Sequence, residues 1–289
     1  MSADANGKRF IKPLELSEVI TLIDRALDED IGSGDVTTLA CVDPFLEGGA
    51  KIVAKESLVL CGIEVTEQVF LSLDEGADIK LHHADGDRLN PGDEIMTIIS
   101  YSSLLLQAER VALNFLQRMS GIATLAARYA WAIEGTNAKV IDTRKTTPSW
   151  RQLEKYAVRV GGSSNHRFGL FDGVLIKENH IRACGSITKA VEACRSANHH
   201  LLKIEVEVTN MAELDEALAA GAEVVMLDNM NPNDVRIAVE HVEGRAILEA
   251  SGNITLDNIR RYAETGVDYI SVGDLTYGAR AVDISMYID

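Results

Sequence analysis

From Lys139 to the C-terminus, short apolar runs alternate with helix-patterned stretches, and no other feature constrains the fold of this chain as strongly. The strand-like runs are 139–142, 173–176, 202–208, 223–227, 246–248 and 269–272, and helical spacing covers 186–197, 211–220, 233–241 and 256–265. Gly221 and Gly266 stand where helix C-caps precede the next strand. Each helix in such a series returns the chain so that the following strand lies parallel to the last. The pattern therefore predicts repeated βα units in a parallel sheet closing toward a barrel. An open doubly wound sheet is the rival, but the glycine fingerprint of dinucleotide-binding sheets is missing.

Ahead of this region the chain reads as mixed α/β. Leu16, Ile20, Ile23 and Leu27 fall at helical spacing, predicting a helix over 14–28 that stops at the glycines Gly32 and Gly34. Strands are expected at 50–55, 78–83 and 94–100, with a helix over 63–73 between the first two. A long helical stretch follows from Ser103 to about Ile133, in which Gly121 reads as a bend or a break.

Composition excludes several functions. At 289 residues, with 46% hydrophobic and 25% charged side chains, the chain is long enough for a barrel-sized domain plus a smaller one. Its formal charge of −16 argues against a nucleic-acid partner. No signal-peptide core and no membrane-length apolar run is seen, which places the protein in the cytoplasm. Cys41, Cys61, Cys184 and Cys194 lack metal-site spacing and read as small apolar residues rather than disulfides. The charge is uneven: residues 142–182 carry a net +4 and everything else −20. A basic island in an acidic chain suits a small anionic ligand, or is simply a helix rich in lysine and arginine.

In a βα barrel the active site lies at the carboxyl ends of the strands. Here those ends carry Asp142-Thr143-Arg144-Lys145, Lys177-Glu178-Asn179-His180, Glu205 with Glu207, Asp228-Asn229, Glu249 to Asn253, and Ser271 to Asp274. Helix caps account for Asp, Ser and Asn at such places, but not for the repeated Lys and Arg. Ser251-Gly252-Asn253 and Ser271-Val272-Gly273 offer small residues whose backbone N–H groups can approach a phosphate, or are merely tight turns. Glu207 and Asp228 end adjacent strands and suit a divalent cation, ribose hydroxyls or a developing positive charge. Glu205 shares the strand parity of Glu207, so an ion pair of these acids with Lys177 or Arg144 is the alternative. The loop 161–169 is rich in glycine and serine and carries His166-Arg167, which could grip a carboxylate or sit in solvent. Lys145 and Lys177 could also serve as Schiff-base lysines.

Asp142-Thr143-Arg144-Lys145-Thr146-Thr147-Pro148 makes the pattern specific. With Glu154 to Val158, Asn165-His166-Arg167 and Leu175 to Ile181, it resembles quinolinate phosphoribosyltransferase. Further matches are Glu29 to Thr38, Glu109-Arg110 with Asn114, Ser120 to Thr124, Met226 to Asn229, Ser251-Gly252-Asn253 and Ser271-Val272-Gly273. The resemblance implies an N-terminal α/β open sandwich over 1–119, to which 276–289 returns, and an incomplete six- or seven-stranded TIM-like barrel over 120–275. It also implies a homodimer with the active site shared across the interface, and transfer of phosphoribose from phosphoribosyl pyrophosphate to quinolinate, with decarboxylation and with Mg2+. Mapped onto matching positions, Arg144, His166, Arg167 and Lys177 would hold the two quinolinate carboxylates, with Arg110 reaching in from the partner subunit. Lys145 would face the phosphates, and Ser251, Gly252, Asn253, Ser271 and Gly273 would line the phosphate site. Glu207 and Asp228 would hold ribose hydroxyls and Mg2+. The chain departs from the usual pattern at Ser149-Trp150 (Gly-Leu), at Ser163-Ser164 (glycines), and at Asp274 and Tyr277 (alanine and histidine). These departures bear on loop flexibility and on affinity for the cosubstrate.

Overall fold

The computed structural model describes residues 12–289. In chain order the elements are α1 (Leu16–Ile31), α2 (Val36–Cys41), β1 (Glu47–Ala54), β2 (Leu58–Val59), α3 (Ile63–Leu73), β3 (Asp78–Leu81), β4 (Arg88–Leu89), β5 (Glu94–Tyr101) and α4 (Ser102–Ala132). Then come β6 (Lys139–Ile141), α5 (Arg151–Val160), β7 (Val174–Ile176), α6 (Glu178–Cys184), α7 (Ile187–Ala197), β8 (Ile204–Val208), α8 (Met211–Ala219) and β9 (Val224–Asp228). The chain ends with α9 (Pro232–Val242), β10 (Ile247–Ser251), α10 (Ile259–Ala263), β11 (Tyr269–Ser271), α11 (Asp274–Tyr277) and β12 (Ile284–Ile288). All four cysteines are free thiols.

The first compact unit runs through Ala127 and takes in Thr147–Gly162 and Ala279–Asp289. Its sheet has the order β12-β1-β5-β3, antiparallel throughout, beside a small β2-β4 pair. Strand alternation buries one face: Ile52, Ala54, Met96 and Ile98 are sealed, whereas Ile99 and Tyr101 on the other face are exposed. Helix α4 runs without interruption through Gly121, contrary to the bend or break expected there. A Cβ at that position would collide with the Arg280 carbonyl oxygen. The glycine therefore serves a close approach of backbone to helix rather than a kink.

Packing draws the domain boundary differently from the sequence reading, which gave all of 120–275 to the barrel. Residues 147–162 group with the first unit because Trp150 stacks on Phe115 at 4.9 Å. The fully buried Glu154 also takes Arg118 Nη2 at 3.3 Å and the Thr147 amide at 3.1 Å. Ser149 has φ +65°, a left-handed conformation that explains why the related pattern prefers glycine there.

The second unit contains the six parallel strands, ordered β6-β11-β10-β9-β8-β7. It is an incomplete TIM-like barrel: among the described residues, the sheet continues beyond β6 only as a single bridge from Ile141 to Ser164. The βα rhythm is set by local chemistry. Ser186, Asn210 and Asn231 each cap a following helix by accepting backbone amides (Lys189, Glu213 and Asn233), and Pro232 opens α9. Helix α10 is shorter than the expected 256–265, because the Asn258 side chain accepts the Thr255 amide at 2.8 Å and holds that turn in a non-helical form. Strand β10 extends beyond the expected 246–248, since Ala250 and Ser251 keep their register with Leu227 and Asp228.

Candidate active site

Strand β6 leads into Asp142, which is buried from solvent and serves as a tether. Its carboxylate accepts the His166 amide at 2.9 Å and Asn165 Nδ2 at 2.5 Å. The Ser164 amide donates to the Val140 carbonyl, and the Asp142 amide donates to the Ser164 carbonyl. A buried carboxylate is tolerated when charge-assisted hydrogen bonds satisfy it. Here it converts a small-residue loop into a fixed support for His166 and Arg167. Farther along, Asp172 accepts the amides of Phe168 and Gly169, closing the loop before β7.

Arg144, Lys145 and Arg167 converge on a cavity of about 670 Å³ at the carboxyl ends of the strands. Among the described residues none of the three makes an ion pair. Burial, and then the neighbouring Arg144 guanidinium, hold the Arg167 pKa below its ordinary value. Arg167 is aimed by the hydrogen bond from Nη1 to the Gly173 carbonyl at 2.8 Å. Lys145 is pinned through its backbone: its amide donates to Thr143 Oγ1 and its carbonyl accepts from Thr276 Oγ1 at 2.7 Å. Its ammonium lies 5.9 Å from the centre of the Tyr277 ring. Cations gathered without counter-ions repel one another, and a bound anion relieves that cost.

Acids and bare backbone form the rest of the wall. Lys177 Nζ pairs with Glu207, the member of the β8 pair that faces the cavity. Asp228 lies at the end of β9 next door, and its Oδ2 accepts Asn229 Nδ2 at 2.7 Å. Asn229 is itself left-handed (φ +56°), donates its amide to the Ser251 carbonyl and accepts Asn253 Nδ2 at 3.0 Å. Gly252 has φ +96°, and a Cβ there would lie 2.9 Å from the Asn229 nitrogen. Only glycine fits, which leaves the turn's backbone open to a ligand.

Deeper in the barrel, His166 Nε2 lies 3.1 Å from Glu205 Oε2 and 3.6 Å from Glu249 Oε2. Its Nδ1 accepts the Arg167 amide at 2.7 Å. Both glutamates are buried, and among the described residues Glu205 Oε1, Glu249 Oε1 and Ser271 Oγ find no hydrogen-bond partner. Burial, reinforced by the adjacent Glu205 carboxylate, pushes the Glu249 carboxyl up to about 8. Of the two cations the sequence left open as partners for the β8 acids, Lys177 pairs with Glu207, and among the described residues Arg144 pairs with neither; Glu205 is turned to His166, a partner the sequence did not suggest.

Of the residues singled out from the sequence, Arg144, Lys145, His166, Arg167, Lys177, Glu207, Asp228, Ser251, Gly252, Asn253, Ser271 and Gly273 all line this one cavity. Arg110 does not. It lies on α4 in the first unit, exposed, with Glu109 4.0 Å away. His166, which the sequence reading gave to the acceptor carboxylates, has its two ring nitrogens turned to the Arg167 amide and to the buried glutamates. Glu249 lines the cavity floor and was not singled out for a role. Its signal was a lone charge inside an otherwise apolar run, Ala246 to Ala250.

Arg144, Lys145 and Arg167, without ion-pair partners among the described residues, share one cavity with Glu207, Asp228 and two open turns at the carboxyl ends of a parallel barrel, and this defines an enzyme for small polyanionic substrates. Comparison with known proteins narrows that class. The family models for quinolinate phosphoribosyl transferase match the chain at residues 35–120 (N-terminal domain) and 122–287 (C-terminal domain). The chain belongs to the quinolinate phosphoribosyltransferase family. It is 46% identical over 260 residues to the "probable nicotinate-nucleotide pyrophosphorylase (carboxylating)" of Bacillus subtilis, covering 89% of each chain. It is 43% identical over 273 residues to the nicotinate-nucleotide pyrophosphorylase (carboxylating) of Mycobacterium leprae, covering 91% of this chain and 95% of the relative. The crystal structure of NadC from Streptococcus pyogenes superposes with a TM-score of 0.93 at 42% identity, over 96% of this chain and 99% of that one.

Proposed function

We propose that this protein transfers phosphoribose from phosphoribosyl pyrophosphate to quinolinate and releases pyrophosphate, CO2 and nicotinate mononucleotide, the step that feeds NAD biosynthesis. The observation that carries this reading is the convergence of Arg144, Lys145 and Arg167, all without ion-pair partners among the described residues, on one cavity whose other walls include Glu207, Asp228 and the Gly252 turn. A planar ring with two adjacent carboxylates calls for several cations at one end. A sugar bearing phosphates calls for backbone donors and an acidic pair at the other.

In this mechanism Arg144, Arg167 and Lys177 grip the acceptor carboxylates and aim its ring nitrogen at the ribose C1. His166, with its nitrogens engaged beneath the ring, sets the floor of that subsite. Glu207 and Asp228 stabilise positive charge on the ribose as the bond to pyrophosphate breaks. They also present carboxylate oxygens at neighbouring strand ends, the hard donor set that Mg2+ takes together with phosphate oxygens. When bound, Mg2+ neutralises charge on the departing pyrophosphate. Lys145 and the turns at Ser251-Gly252-Asn253 and Ser271 to Gly273 hold phosphate oxygens. Once the ring nitrogen is alkylated, the pyridinium accepts the electron pair left when the C2 carboxylate departs as CO2, and C2 then takes up a proton.

The working unit in this proposal is a cytoplasmic homodimer in which Arg110 of one subunit completes the acceptor site of the other. No described helix is long and apolar enough to cross a membrane, and the proposal involves no nucleic acid. The test is incubation with quinolinate, phosphoribosyl pyrophosphate and Mg2+. Equimolar CO2 and nicotinate mononucleotide are expected, and failure to form either product refutes the reading.

A further inference from the structure

His166, Glu205 and Glu249 form a buried cluster that the mechanism above leaves without a chemical task. We propose that Glu249 is a positioning residue for the acceptor subsite: with Glu205 it fixes His166 as the Nε2–H tautomer, and it carries a proton of its own, so that the floor bears one negative charge rather than two. The inference deepens the functional reading and rests on it for the identity of the acceptor.

The argument begins with hydrogen bonds. The Arg167 amide, 2.7 Å from Nδ1, makes that nitrogen an acceptor, so the ring proton resides on Nε2. That single N–H faces two carboxylates, Glu205 Oε2 at 3.1 Å and Glu249 Oε2 at 3.6 Å, and one donor cannot satisfy both. The remaining oxygens, Oε1 of each glutamate, are buried without a hydrogen-bond partner among the described residues, as is Ser271 Oγ. Two ionised carboxylates so enclosed, below a cavity that receives a dianion, would repel each other and the ligand. A proton on Glu249 removes one of those charges. Glu249 is the more deeply buried of the two, and Glu205 has the shorter contact with His166.

The groups facing Glu249 come from three elements: Glu205 on β8, His166 on the segment beside β6, and Ser271 on β11. Glu207, Asp228 and Arg167 line the cavity above. Burial and the Glu205 charge raise the Glu249 pKa to about 8. Glu249 is therefore neutral below that pH and ionises above it, which adds a second negative charge under the acceptor. Affinity for a dianionic acceptor then falls as pH rises.

The experiment is the pH profile of kcat/KM for quinolinate in the wild type and in Glu249→Gln, together with 15N NMR of labelled histidine side chains. In the wild type, kcat/KM falls up to about tenfold per pH unit above about 8, while the His166 nitrogens report Nε2–H and shift across the same range. In Glu249→Gln both the fall and the shift disappear, which loss of packing alone would not produce. In Glu205→Gln, which can be read even if the first variant fails to fold, the shift moves to lower pH because the charge that raised it is gone. An unchanged alkaline limb in Glu249→Gln, an Nδ1–H tautomer, or a metal ion bound to His166 Nε2 and the two glutamates rather than at Glu207 and Asp228 would each overturn the proposal. If the wild type forms no nicotinate mononucleotide, the functional reading fails. The NMR titration still decides whether Glu249 controls His166.

Discussion

Asp274 puts a carboxylate on the cavity wall beside Gly273, at the end where Lys145 would meet the phosphates of the cosubstrate. Tyr129 Oη approaches its Oδ2 at 3.4 Å, and no cation pairs with it among the described residues. A half-buried acid without a cationic partner there opposes a highly charged anion by roughly 1 kcal/mol. Asp274→Ala is therefore expected to lower the KM for phosphoribosyl pyrophosphate by roughly three- to tenfold at low ionic strength, an advantage that shrinks as salt is added. Initial rates at varied cosubstrate and salt check this. At the opposite end, Arg144→Ala removes one of three cations without an ion-pair partner. It should raise the quinolinate KM by about 100-fold, on the scale of a lost charge-assisted pair; near-normal saturation in that variant would contradict the clamp. Both residues were legible in the sequence because a barrel places strand-end residues at one rim. The His166 cluster was not, since its geometry depends on the Asp142 tether and on burial, neither of which is visible in a string of residues.

At the scale of elements, β6 to β11 were legible because apolar period and cap chemistry agree, and their ends moved only where a side chain or a ladder intervened. Helix α5 was not read as a helix: its buried Glu154 and Lys155 disguise the face it presents to its neighbours. Gly121 was misread because the object it accommodates, the backbone at Arg280, is 159 residues away. Gly121→Ala should destabilise the protein by about 1–3 kcal/mol through overpacking, seen as a Tm lower by several degrees. The same C-terminal segment is tied by Arg280, which grips both oxygens of Glu56 while the Asp283 amide donates to Oε1. The Arg280 hydrogen bond draws the Glu56 carboxyl down to about 2. A carboxyl depressed in the folded state contributes stability above its ordinary range and loses it as pH falls toward 2. Arg280→Ala should therefore speed amide exchange across β12 at neutral pH. The difference from the wild type should narrow as the solution is acidified from about pH 4.5, where exposed glutamates titrate, toward pH 2.

For the whole molecule, the charge distribution in the sequence already separated a basic segment from an acidic remainder, and the cavity is walled entirely by residues of the second unit. Arg110 belongs to the first unit and is exposed, with its neighbour Glu109 4.0 Å away. The proposed assignment of Arg110 to the acceptor makes a specific demand on the proposed homodimer: each Arg110 would act on the other copy of the chain. Two-fold pairing meets that demand twice over, since each subunit lends its arginine and receives one. Arg110→Ala and Lys145→Ala should each abolish most activity alone. When the two are mixed, dissociated and re-associated, half of the dimers should be mixed, and each mixed dimer should hold one site with both residues intact. Recovery of about one quarter of wild-type activity is then expected. Recovery of none, in a preparation shown by mass to contain mixed dimers, would place Arg110 outside the working site.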